Sequence, residues 1–195
     1  MNERIENRDY VIAIDQSGSM SERDCDGKSR WEHCKESVKA LLNKVDEIDP
    51  DGVDLYFYNQ NFVKFENITS TKLDDTFKKM SPIGGTSFAP VLNDIFGGHF
   101  SKQARPTTVL FITDGEASDS HATKKAIVGA ANKLEANDEL AISFIQVGKC
   151  KHAQKFLVSL DDDLEDEGAK FDIVDTVPMD KITNLEEVLL NAIID

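Results

Sequence analysis

Tyr10-Val11-Ile12-Ala13-Ile14-Asp15-Gln16-Ser17-Gly18-Ser19 decides how the rest of the chain is read. Its first five residues are apolar with no polar face, and the run is short enough for a strand. Runs of that kind are central parallel strands buried on both sides. This one passes straight into a carboxylate and two hydroxyls. Side chains two apart in extended backbone point the same way, so Asp15, Ser17 and Ser19 are expected to face one point. Gly18 relaxes the backbone at the bend. Three convergent hard oxygen donors suit Mg²⁺ or Mn²⁺, which prefer carboxylate, hydroxyl and water.

The pattern returns further along. Val109-Leu110-Phe111-Ile112-Thr113 is a second apolar strand, ending in Asp114-Gly115. Between the two lies Gly84-Gly85-Thr86-Ser87, a glycine-rich turn that delivers a hydroxyl just before a helix. Asp-x-Ser-x-Ser, then Gly-Gly-Thr, then a strand ending Thr-Asp-Gly resembles the von Willebrand factor A (vWA) family, whose metal-ion-dependent adhesion site uses these three motifs in this order. Among family members the chain resembles the small stand-alone bacterial ones, including those of tellurite-resistance and stress-response clusters. The resemblance implies that Asp15, Ser17, Ser19, Thr86 and Asp114 surround one divalent cation, Mg²⁺ with Mn²⁺ or Ca²⁺ as substitutes. It implies a protein partner that supplies an Asp or Glu to that cation.

Working outward, Ser29-Arg30-Trp31-Glu32 has the form of a capping box. Trp31, Cys34, Val38, Leu41, Leu42, Val45 and Ile48 follow at spacings of three and four, one face of a long amphipathic helix. Asp49-Pro50 ends it. Val53 to Tyr58 reads as a strand, Asn59-Gln60-Asn61 as a turn, and Phe62 to Phe65 as the returning strand. A gap that short permits only a hairpin, so Phe62 to Phe65 is expected to be antiparallel and at an edge. Helices are expected over Leu73 to Met80, from Thr86 to a stop at Gly97-Gly98, over Ser120 to Glu135 with Ala122, Ala126, Ala130 and Leu134 inward, over Lys151 to Leu160, and over Leu185 to Ile194. Leu140 to Val147 and Phe171 to Val174 are expected strands, the latter at an edge. Strand and helix alternate, which predicts a doubly wound, mostly parallel α/β sheet with helices on both faces, one antiparallel edge strand and right-handed crossovers. Ligands of such sheets bind beyond the carboxyl ends of the strands, at the switch point, where Asp15 and Asp114 fall.

At 195 residues the chain is expected to be a single domain over 1–195. Its 36 acidic against 22 basic residues give a formal net charge of −14. That argues against nucleic acid and anionic membranes as partners, since both require clustered positive charge. Three cysteines without paired spacing, a polar start and no long apolar run point to a cytoplasmic protein with reduced thiols.

Catalytic motifs fit poorly. Gly27-Lys28-Ser29 imitates the end of a phosphate-binding loop, but the glycine that motif needs at position 22 is Glu22. A haloacid-dehalogenase-type phosphatase would carry a carboxylate at Ser17. The residues flanking Ser17 at two positions' distance are Asp15 and Ser19, not the glycines of a hydrolase elbow. His33, His99, His121 and His152 are scattered, and Cys150 with His152 makes two ligands where zinc needs more. The acidic run Asp161 to Glu167 lacks the spacing of a calcium loop. A metal-dependent binding module is therefore the expected function. A Mg²⁺-dependent phosphatase or hydrolase using the same site is the alternative, and it lacks an evident base or nucleophile.

Overall fold

Alternation of apolar strands with amphipathic helices produces one six-stranded sheet in the order β3-β2-β1-β4-β5-β6. The computed structural model describes residues 8–48, 50–101 and 105–182. The strands are β1 (Asp9–Asp15), β2 (Val53–Tyr58), β3 (Phe62–Ile68), β4 (Thr107–Thr113), β5 (Leu140–Gln146) and β6 (Val174–Pro178). The helices are α1 (Arg30–Ile48), α2 (Ser70–Phe77), α3 (Ala89–Ser101), α4 (Ser120–Ala131) and α5 (Lys151–Asp162). β1, β2, β4, β5 and β6 pair in parallel, and β3 alone pairs antiparallel, with β2 at the sheet's edge. The short Asn59–Asn61 connection imposes that antiparallel return, as its length requires.

β1 lies between β2 and β4 and is buried on both faces. Tyr10, Ile12 and Ile14 pack under α1 and α2 with Cys34, Val38, Leu42 and Phe77. Val11 and Ala13 pack on the other side with α3, α4 and α5 residues such as Phe88, Ile127 and Leu157. An alternating side-chain direction is thus apolar at every step, which is why the sequence shows no polar face. The capping box sets the start of α1. Ser29 N–H donates to Glu32 Oε2 at 2.8 Å and Glu32 N–H donates to Ser29 Oγ at 3.1 Å.

Several boundaries differ from the sequence reading. The last strand is Val174–Pro178, not Phe171 to Val174. Asp172 Oδ1 accepts the Val174 N–H at 3.2 Å, a local turn that delays the ladder, whose first bond to β5 is Ile142 N–H to Ile173 O at 2.8 Å. Pro178 is tolerated because it ends an edge strand. α3 does not stop at Gly97-Gly98 but continues to Ser101. Phe96 is buried and His99 Nδ1 meets Thr107 Oγ1 at 2.9 Å, so tertiary contacts hold the last turn against the glycines' weak propensity. α3 also starts at Ala89 rather than Thr86. Phe88 and Ala89 N–H groups donate to the carboxylate of Asp119, at 2.9 and 3.0 Å, so a residue from a later loop supplies the cap. α2 spans Ser70–Phe77, three residues ahead of the expected Leu73 to Met80.

α4 ends at Ala131, and its inward residues are Thr123, Ile127, Ala130 and Ala131. Of the expected inward residues Ala130 and Leu134 are buried, whereas Ala122 is exposed and Ala126 half-buried, with Thr123 and Ile127 inward in their place. A surface of alanines gives little contrast between faces, so Ile127 decides the rotation. α5 runs on to Asp162, taking the first residues of the acidic run. The expected helix over Leu185 to Ile194 lies outside the described residues.

Candidate metal site

The strand order changes direction between β1 and β4, so the crevice at their carboxyl ends is the sheet's switch point. Asp15 is the last residue of β1 and Asp114 the first after β4. Both are buried, 0% and 1% exposed. The chain leaves β1 through Gln16 and Ser17 into a single 3₁₀ turn over Gly18–Ser21. Ser17 N–H donates to Asp15 Oδ1 at 2.7 Å, folding the hydroxyl motif back over the carboxylate.

A hydroxyl ladder joins the first motif to the third. Ser19 Oγ donates to Asp114 Oδ1 at 2.9 Å, and Ser17 and Ser19 Oγ lie 3.0 Å apart. Ser19 has one proton and gives it to Asp114, so Ser17 is the donor between the two serines. Thr113 Oγ1 donates to Asp15 Oδ2 at 2.8 Å and fixes the other side of that carboxylate.

The Gly84-Gly85-Thr86 turn is strapped to the same place. Gly18 N–H donates to Gly84 O at 3.0 Å, and Ile83 N–H donates to Gln16 O at 2.6 Å. Ser118 N–H and Oγ both donate to Thr86 O, at 2.9 and 2.7 Å. Thr86 Oγ1 faces Gly115, 4.0 Å from where a Cβ would stand. The turn requires glycine at position 84, where φ is +83° and a Cβ would meet Gln60 Oε1 at 2.9 Å. The fold therefore brings all five expected residues, Asp15, Ser17, Ser19, Thr86 and Asp114, to one end of the sheet around the β1/β4 crevice.

Burial and mutual repulsion oppose charge on the carboxylates. Burial, then the neighbouring Asp114 charge, push Asp15 up to about 6 against the hydrogen bonds from Ser17 and Thr113. Burial also raises Asp114, although Arg30 and Ser19 favour its charged form. Two partly frustrated carboxylates beside three hydroxyls form a donor set that is all oxygen, which fits Mg²⁺, Mn²⁺ or Ca²⁺. Among the described residues no group of three or more His, Cys, Asp or Glu side chains is gathered as a metal site. A cation here must then take hydroxyl oxygens as well as carboxylates. Cys150 precedes α5 as its capping residue, and Cys34 is a fully buried core residue whose thiol burial pushes upward in pKa.

Arg30 was not among the residues singled out by motif. It sits in the first turn of α1 and donates from Nη1 to Asp114 Oδ2 at 2.9 Å. The capping box of Ser29 and Glu32 signals the helix start; no local pattern signals where its first arginine points.

This sheet order, with three loops gathered at the switch point, defines a vWA domain. More narrowly, the chain belongs to the family described as vWA-TerF-like, the vWA found in the TerF C terminus, which matches residues 8–194. Solved structures share the fold at low identity. The D319A mutant of the PilB minor pilin from Streptococcus sanguinis aligns with a TM-score of 0.66 at 13% identity, over 95% of this chain and 59% of that one. The von Willebrand factor type A protein from Catenulispora acidiphila gives 0.62 at 13%, over 95% and 41%. Manganese-loaded Plasmodium vivax TRAP protein gives 0.63 at 16%, over 93% and 72%. This chain thus spans only 59% and 41% of the first two. A comparison with curated proteins finds no match. vWA domains are in general metal-dependent adhesion or protein-binding modules rather than enzymes. Among the described residues no helix is long and apolar enough to cross a membrane.

Proposed function

We propose that this chain is a metal-dependent protein-binding module whose cation is held by Asp15, Ser17, Ser19, Thr86 and Asp114. The observation that carries the reading is the pair of buried carboxylates joined by the Ser17–Ser19–Asp114 hydroxyl ladder. Asp15 and Asp114 balance a divalent charge, while neutral hydroxyls leave the ion electrophilic. A coordination position is then open to a carboxylate from a partner's Asp or Glu. Mg²⁺ is the expected cation, with Mn²⁺ or Ca²⁺ able to replace it; the manganese in the TRAP fold neighbour supports a divalent ion.

We read residues 1–195 as one vWA unit, acting in the cytoplasm, and the TerF-type family supports a setting in bacterial stress response. The −14 charge favours protein over nucleic acid or membrane as partner. A Mg²⁺-dependent hydrolase at this site would require a base near the cation, and the Arg30 guanidinium paired with Asp114 at 2.9 Å is not one. Capture from native extract in Mg²⁺ against EDTA tests the reading. Proteins retained in Mg²⁺, released by EDTA and lost with Asp15→Asn are expected; identical retention in both buffers contradicts it.

A further inference from the structure

Arg30 is held at more points than an ion pair needs. Nη1 donates to Asp114 Oδ2 at 2.9 Å, Nη2 to Asp24 Oδ2 at 2.6 Å and Nε to Asp24 Oδ1 at 3.0 Å, and Nη2 lies 2.8 Å from Glu22 Oε2. Its side chain is 9% exposed. Space is cleared for it by Gly148, whose φ is +73° and where a Cβ would come within 2.8 Å of Arg30 Nε. Arg30 N–H donates to Glu22 O at 2.9 Å, tying its own backbone to the loop that carries the acidic partners. A planar guanidinium so fixed is a preorganised charge, and its partner Asp114 is buried where Coulomb terms are weakly screened.

We propose that Arg30 is a resident countercharge that withholds Asp114 Oδ2 from the cation and biases the site against metal and toward an anionic ligand. The inference rests on the metal-site reading above. A divalent cation with Asp15 and Asp114 sums to zero; with Arg30 the buried set carries one positive charge. That excess is what an incoming carboxylate neutralises. With Oδ2 held by Arg30, Asp114 reaches the cation through Oδ1, the oxygen that also accepts from Ser19. Asp24 and Glu22 pair with the same guanidinium at 2.6 and 2.8 Å, but from side chains 42% and 60% exposed, so they anchor it on the solvent side while its contact with Asp114 is buried.

Calorimetric titration with Mn²⁺ of wild type, Arg30→Gln, Arg30→Met, Arg30→Lys and Asp15→Asn tests this. The neutral variants are expected to bind Mn²⁺ at least about tenfold tighter than wild type, and whichever of the two folds suffices. Arg30→Lys stays nearer to wild type than to Arg30→Gln. Acetate is expected to lower the water-proton relaxation of bound Mn²⁺ more in wild type than in a neutral variant. Neutral variants that bind Mn²⁺ no tighter than wild type, while Asp15→Asn has lost binding, overturn the role of Arg30 and leave the site reading intact. Equal Lys and Gln affinities, or the reverse order with acetate, also overturn it. Wild-type affinity in Asp15→Asn removes the site reading and the proposal together.

Discussion

Ser19 Oγ donates to Asp114 Oδ1 at 2.9 Å, a bond between residues 95 positions apart. It makes one unit of the loop after β1 and the end of β4. Neither residue is positioned by its own strand alone, since Ser19 stands in a 3₁₀ turn and Asp114 just past β4. Ser19→Ala leaves a buried carboxylate oxygen without its donor, a loss of about 1–3 kcal/mol in the absence of metal. Urea unfolding in chelator measures that loss. The same variant is expected to lose Mg²⁺ affinity in calorimetry, because one donor of the cation goes with it; unchanged affinity would show that Ser19 only braces Asp114.

Asp15 makes the metal-free protein pH-sensitive. Its folded value, pushed up to about 6 from an ordinary 3.8, means that the folded state holds the proton more tightly than the unfolded chain. Stability in chelator is therefore highest on the acidic side and falls as pH rises through the interval between those values. Between pH 5 and pH 7 the decline from this group is about 1 kcal/mol. Asp15→Asn is isosteric, keeps an acceptor for Ser17 N–H and removes the decline, so its metal-free stability at pH 7 matches or exceeds wild type while metal binding disappears. Urea midpoints at the two pH values, with and without Mg²⁺, decide it. A variant less stable than wild type at pH 7 in chelator would contradict the repulsion that the account places at this carboxylate.

Gly84→Ala is expected to destabilise by about 1–2 kcal/mol, from a positive φ and from displacement of Gln60. The Gly84 carbonyl accepts the Gly18 N–H, so the strain falls on the loop that carries Ser17 and Ser19. Metal affinity is expected to fall with it. Thr86→Ala leaves the backbone straps in place and removes only a hydroxyl, so it is expected to weaken partner binding more than metal binding. Equal losses of both in calorimetry would remove any separate role for the Thr86 turn.

Asp119 caps α3 from outside, and its replacement by Ala strips both Phe88 and Ala89 N–H groups of their acceptor. A loss of about 1–2 kcal/mol is expected. Because Ser118, its neighbour, holds the Thr86 carbonyl, the metal-stabilised increment in melting temperature is expected to shrink as well. A full-sized increment would show that α3 and the Thr86 turn are independent.

The β1 run and the Val109 to Thr113 run were legible because burial on both faces leaves a strand almost wholly apolar up to its carboxyl end. The antiparallel edge followed from the shortness of Asn59–Asn61. The capping box at Ser29 was legible because both of its members are local. Asp119 and Arg30 were not, since each acts on a backbone or side chain far away in sequence, 31 residues for Asp119 to Phe88 and 84 for Arg30 to Asp114. The inward face of the first turns of α4 escaped because its alanines carry little hydrophobic contrast, while Ala130 and Leu134 are buried as expected. The misplacement of β6 came from reading Phe171 as a strand residue where the Asp172 side chain turns the chain instead.

The central claim is that one cation sits in the β1/β4 crevice among Asp15, Ser17, Ser19, Thr86 and Asp114. Crystals soaked in Mn²⁺ and measured for anomalous scattering test it most directly. The account predicts a single strong peak within about 2.6 Å of the Ser17 and Ser19 hydroxyl oxygens, beside Asp15 and lost in Asp15→Asn. A saturated crystal with no peak in that crevice, or with its peak at the exposed carboxylates of Glu22 and Asp24, would contradict it.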